Sequence, residues 1–252
     1  MIESLLAGLT PAQLSIALAA ALAAAFVRGL AGFGMAILLV PVLGLAVSPT
    51  EAVVTANWLQ VFIGLVGLRA ILGQAERSAY VIGALAIVAT PLGVWLLALT
   101  DPALARLIIA LVALAAFALV LMPKRSAEHV PPPAETGATG IACGVLAGFA
   151  AMPGVPVVPY YLRRLISPTI ARASMMTIFM ATSVAGVGSA VALKVATWRE
   201  LILAGVLFPA VLLGNWLGNK AFGKVSDTAW RSFTGGVLGL AAAAALWRLL
   251  QA

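Results

Sequence analysis

The sequence predicts an all-α polytopic membrane protein made of two inverted homologous repeats, and three observations carry that prediction. Of its 252 residues, 63% are hydrophobic and only 9% are charged, against roughly a quarter charged in an average soluble chain. Uncharged runs such as 29–50 and 80–100 exceed the ~18 residues that cross a ~30 Å hydrocarbon layer as a helix. Five apolar segments precede a polar break and five follow it, with sequence echoes between the two sets. A globule of this composition could not cover its surface with water-compatible side chains.

The segments run approximately over 12–27, 30–47, 52–68, 79–99 and 103–121, then 138–151, 153–166, 173–193, 201–219 and 232–250. Between the sets, Lys124, Arg125, Glu128 and His129 lead into Pro131-Pro132-Pro133, a composition that reads as an exposed, stiffened linker. The chain therefore divides into a first membrane repeat (1–121), a linker (122–137) and a second membrane repeat (138–252). Met1 to Leu6 carry Glu3 and lack a basic region, so the first apolar run is expected to be retained and not cleaved as a signal peptide.

The repeat shows in ordered echoes. Leu30-Ala31-Gly32-Phe33 returns as Leu146-Ala147-Gly148-Phe149, and Val40-Pro41 as Val158-Pro159. Ser48-Pro49-Thr50 returns as Ser167-Pro168-Thr169, and Gly93-Val94-Trp95-Leu96 as Gly214-Asn215-Trp216-Leu217. Their offsets of 116, 118, 119 and 121 residues drift slowly and keep their order.

Each half opens on a broken pair. Residues 12–47 are too long for one comfortable crossing and are interrupted at Arg28-Gly29 and again at Gly32-Phe33-Gly34; in the second half Pro153, Gly154, Pro156 and Pro159 crowd together. Proline removes a backbone donor and glycine favours non-helical angles. Inside a bilayer such breaks are tolerated only where protein or a watery cavity surrounds them.

Charge decides how the pairs run. If each pair were one kinked crossing, the 14 Lys and Arg other than Arg28 would divide seven to seven. If each pair is a re-entrant hairpin followed by three crossings, ten share one side: Arg69, Arg77, Lys124, Arg125, Arg163, Arg164, Arg172, Lys220, Lys224 and Arg231. Only Arg106, Lys194, Arg199 and Arg248 oppose them. That is the bias of the positive-inside rule, and it puts the linker in the cytoplasm and both termini outside.

Inverted repeats with broken helices are the construction of many secondary transporters. Two helix amino termini pointing at one another make a pocket for an anion. Gly29, Gly32 and Gly34 in one half, and Gly148, Pro153 and Gly154 in the other, would let backbone approach a ligand. Arg28 is the one basic residue inside an apolar stretch; it reads either as a ligand contact or as a side chain snorkelling to the headgroups. Thr55, Asn57 and Gln60, with Ser174, Thr177, Thr182 and Ser183 in the equivalent helix, either line the route or join helices through hydrogen bonds. Asn57 and Thr177 complete the candidate set. The spacings Gly140, Gly144, Gly148 and Gly214, Gly218 also read as packing surfaces.

Other classes fit poorly. The net charge of +7 is explained by loop orientation, and no aromatic residues interleave with a basic stripe, so no nucleic-acid partner is expected. The sole cysteine, Cys143, cannot form an internal disulfide. His129, the one histidine, lies in the linker, and the carboxylates Glu3, Glu51, Glu76, Asp101, Glu128, Glu135, Glu200 and Asp227 fall in loops or at segment ends. Neither catalysis, a metal site nor another cofactor is therefore expected.

The string from Arg28-Gly-Leu-Ala-Gly-Phe-Gly-Met to Val40-Pro-Val-Leu, followed by Ser48-Pro-Thr-Glu-Ala-Val, resembles the opening of the TauE/SafE, or sulfite exporter, family. Gly148-Phe-Ala-Ala-Met-Pro-Gly-Val-Pro-Val-Val-Pro-Tyr-Tyr is similar to its second repeat. The resemblance implies a bacterial inner-membrane carrier of a small organosulfur or organic anion, and brings Phe33 and Phe149 into the candidate site. Substrate, coupling ion and oligomeric state stay open, as do two alternatives, a non-transporting scaffold and an intramembrane enzyme. The chain departs from the glycine-rich pattern at Met35, Ala36, Ala150 and Ala151.

Overall fold

A computed structural model describes residues 8–66, 72–121, 130–162, 164 and 166–221. Its helices are α1 (Pro11–Ala31), α2 (Met35–Leu43), α3 (Pro49–Leu65), α4 (Arg77–Leu99), α5 (Pro102–Leu121), α6 (Pro133–Ala150), α7 (Gly154–Leu162), α8 (Pro168–Ala192) and α9 (Trp198–Ala221). No strand occurs among the described residues. Among the described residues four helices, α1, α4, α8 and α9, are long and apolar enough to cross a membrane. The chain is thus a multi-pass helical membrane protein. Residues 122–129 of the linker and the tenth segment, 232–250, lie outside the described residues, and α6 already begins at Pro133, inside the stretch assigned to the linker.

Local chemistry sets the helix ends. Thr10 and Ser48 each accept a hydrogen bond from the backbone N–H three residues on, while Gln13 and Glu51 reach back to the cap N–H, and Pro follows each cap. These are capping boxes, which satisfy two otherwise orphaned donors. Ser167 caps α8 by accepting from Ile170 N–H at 3.2 Å. Thr197 N–H donates to Glu200 at 2.6 Å, so α9 starts at Trp198, earlier than hydropathy alone suggests.

Both expected breaks are present, with corrected positions. α1 runs unbroken through Arg28-Gly29 and ends at Gly32, whose φ of 83° is left-handed. Buried packing of Gly29 on the α9 backbone at Asn215 and Asn219 leaves no reason for the helix to open there. In the second half α6 ends at Ala151, also left-handed at φ 56°, and Pro156 and Pro159 lie within α7. The paired features Gly32 and Ala151, Met35 and Gly154, Leu43 and Leu162, and Ser48 and Ser167 are each 119 residues apart. The Leu-Ala-Gly-Phe echo, offset by 116, is therefore three residues out of structural register.

The halves interlock through glycines. α4 lies along α6 in parallel, Gly140 facing Ile82 and Leu85, Gly144 facing Ala86 and Ala89, and Gly148 facing Thr90, Gly93 and Val94. α1 and α9 pair the same way, with Gly214 on Leu22 and Ala25, and Gly218 on Phe26 and Leu30. A first helix of each half thus packs on the late helix of the other half, with backbones brought close by the missing side chains. α3 and α8 run antiparallel: Asn57 meets Gly186 while Gly64, further along α3, meets Met180, earlier in α8. The largest apolar core joins α1, α2, α3, α5 and α9 with the end of α6.

Polar contacts gather at two ends. At one, Arg164 holds Glu76 at 2.5 and 2.6 Å and Ser78 Oγ at 3.3 Å, while Glu76 N–H donates to Ser174 Oγ. At the other, Arg199 pairs with Glu51 at 3.1 Å and Arg106 Nε donates to the Gly44 carbonyl at 3.1 Å.

Candidate functional site

Each broken pair consists of a long helix, a turn of three residues and a nine-residue second helix. The turn is forced in the first half by Gly32 and Gly34, both at positive φ, where glycine carries no steric cost. In the second half Ala151 takes the same role, and its N–H donates to the Ala147 carbonyl at 2.9 Å, the single bond of a left-handed helix cap. Pro153 then leads directly into α7.

The two turns meet on one small, open-mouthed cavity. The first contributes Phe33, Gly34 and the opening turn of α2 from Met35 to Ile37; the second contributes Ala151 to Gly154. Arg28 and Gln60 supply the polar side chains of the wall, and Phe179 closes it from α8. Gly34 offers no side-chain cap to α2, so first-turn N–H groups of that helix remain available on the cavity side.

Arg28 is only 6% exposed, and its Nη1 donates to Asn215 Oδ1 of α9 at 2.9 Å. It is an internal arginine, held by the other half, and not a snorkelling one. Gln60 Nε2 donates to the Ala151 carbonyl at 3.3 Å, a second tie across the halves. A third comes from Arg172, which donates to the Gly29 carbonyl at 2.8 Å and to Asn219 Oδ1, and whose aliphatic stem covers Gly32.

Of the candidate site residues named from the sequence, Arg28, Phe33, Gly34, Pro153 and Gly154 share the cavity wall, as does Gln60 from the polar residues left between two roles. The others lie elsewhere. Gly29 packs on the α9 backbone and Gly148 on α4, where any Cβ would strike a carbonyl oxygen. Gly32 sits under Arg172. Phe149 belongs to the main core. Asn57 lies against Gly186, and Thr177 Oγ1 donates to the Ala173 carbonyl in its own helix at 2.9 Å. Those are packing contacts and a bond within one helix.

Sequence reading missed Met35, Ala36, Ile37, Ala151, Met152 and Phe179 as wall residues, and Asn215 as the partner of Arg28. It left Gln60 between two roles. A signal existed for two of these: Gln60 and Phe179 are 119 residues apart, the spacing that relates the capped helix starts Ser48 and Ser167.

Among the described residues no group of three His, Cys, Asp or Glu side chains could hold a metal ion. An electropositive, partly apolar chamber with an arginine suits an anion. The family model described as sulfite exporter TauE/SafE matches residues 17–245. The chain belongs to the TauE/SafE family. Membership makes it a membrane protein of a sulfite and anion exporter family, a family of transporters and not of enzymes. No curated protein and no solved structure matches it.

Proposed function

We propose that this TauE/SafE protein is a secondary transporter that exports a small organosulfur or other organic anion across the bacterial inner membrane. The ligand is held between the two broken-helix tips, and alternating access arises from movement of one half against the other. The observation that carries this reading is the single cavity bordered by both tips and by Arg28.

The chemistry follows from the wall. An anion entering from water loses hydration, and the losses are offset by charge-assisted bonds to the Arg28 guanidinium and by uncapped N–H groups at the start of α2. Asn215 fixes one arm of Arg28, so the cation is oriented before the ligand arrives. Because both halves contribute to the cavity wall, relative motion of the halves exposes the ligand to one side or the other.

Inversion of the repeats is supported by three contacts. Equivalent helices α3 and α8 run antiparallel, as a two-fold axis in the membrane plane requires. Glu76 with Arg164, and Glu51 with Arg199, join residues that a hairpin topology puts on one side and a four-crossing topology puts on opposite sides. With the positive-inside bias, the linker is cytoplasmic and both termini are outside.

Arg28→Ala is expected to cut sulfite or organosulfonate flux in proteoliposomes at least tenfold, as removal of a charge-assisted bond implies. Arg28→Lys, which keeps the charge, is expected to retain part of it. Unchanged flux and concentration dependence in folded Arg28→Ala would show that the arginine does not meet the ligand.

A further inference from the structure

The two tips are not built alike, and the difference falls on one side chain. In the first, the left-handed position is Gly32, which adopts φ 83° freely. In the second it is Ala151, one of two described non-glycine residues at positive φ, where a Cβ crowds the following carbonyl. Ala151 is fully buried, and its carbonyl lies beyond the end of α6, where no later turn of that helix can serve it. Gln60, reaching from α3 in the other half, donates to that carbonyl. The residue 119 positions on, Phe179, has no donor to offer the glycine-bearing tip. An amide is therefore found opposite the tip that lacks glycine.

The geometry points to Gln60 as the positioning residue of the second tip: its amide holds the strained Ala151 turn closed, so that Met152 to Gly154 and the start of α7 stay aimed into the shared cavity. The consequence for ligand affinity rests on the transport reading above; the consequence for the turn does not. Gln60 acts through Ala151. Replacing Ala151 by glycine removes the strain that the amide opposes, so glycine should make the amide dispensable.

The test uses full-length protein in proteoliposomes, with Cys143→Ala and Met152→Cys, so that maleimide labelling at residue 152 reports opening of the turn. Gln60→Leu is expected to raise the labelling rate roughly three- to tenfold, and adding Ala151→Gly to return it to within about twofold of the parent. In the flux assay with sulfite, Gln60→Leu should raise the half-saturating concentration by a similar factor with maximal rate kept, again reversed by Ala151→Gly. A purely structural defect would lower maximal rate and melting temperature instead. Gln60→Met, which keeps the approximate length but has no donor, serves if the leucine variant does not fold. Unchanged labelling in the variant that folds overturns the proposal, and so does a rise that Ala151→Gly leaves in place. If the parent moves no sulfite while labelling behaves as stated, the transport reading fails for sulfite and the role of Gln60 stands.

Discussion

At Gly148 a methyl group would meet the Thr90 carbonyl, the Val94 amide and the Gly93 Cα together, all of them backbone. Nothing there can rotate away, so α4 and α6 must part. Gly148→Ala is expected to destabilise by about 1–3 kcal/mol, the usual cost of overpacking, read as a fall in melting temperature in detergent. Gly205→Ala, in α9 with open space around the position, should be neutral or stabilising by up to about 1 kcal/mol. Both are helical glycines in a sequence that has 24, and composition cannot tell them apart. Gly148 was legible as a small-residue packing spacing and also as a ligand contact; the facing Gly93 decides for packing. Arg28 was legible as an anomaly, because a charge inside an apolar run is costly in any setting, but its partner Asn215, 187 residues away, was not.

Capping chemistry makes the element scale the most readable one. Ser-Pro-Thr-Glu at 48–51 is a helix start in any context, and it begins α3. Its Glu51 also serves the tertiary structure, with one carboxylate oxygen on Ser48 N–H and the other on Arg199. Two substitutions separate these functions. Glu51→Gln keeps an acceptor for the cap and loses the ion pair, which at 47% exposure of the Arg199 side chain should cost less than about 1 kcal/mol. Glu51→Ala loses both and should cost about 1–2 kcal/mol, an order that thermal melts can check. Break positions were less legible. Arg28-Gly29 and Gly32-Phe33-Gly34 both look like interruptions, yet only the second one is, because tight burial of Gly29 on α9 maintains the helix. Pro159 likewise sits inside α7, since neighbouring groups can re-satisfy what proline frees.

For the molecule as a whole, hairpin and four-crossing topologies predict different faces for the same residues. Thr10 and Asp101, both exposed, fall on one side if α2 returns and on opposite sides if it continues; Val130 and Thr169 make the matching pair for α7. Cysteines at Thr10 and Asp101 are therefore expected to react with an impermeant maleimide from the outside of intact cells. Those at Val130 and Thr169 should react only after permeabilisation. Reaction of Thr10 and Asp101 from opposite faces would overturn the inverted arrangement. In the sequence, the ordered echoes and the lopsided arginines are what suggest the inverted arrangement. The exchange of partners, α1 with α9 and α6 with α4, had no sequence signature, since apolar helices in lipid can pack on any neighbour of suitable shape.

Sequence by itself determined that this chain lives in a bilayer, that its helical segments break near Gly32 and near Pro153, and which family it resembles. Those properties are local or compositional: hydrophobicity, proline, glycine and capping residues act within a few positions of themselves. Tertiary structure alone decided which residues face the cavity and which face a neighbouring helix. A glycine, a glutamine or an arginine has the same local chemistry in either place, and only the helix brought against it by long-range packing assigns its role.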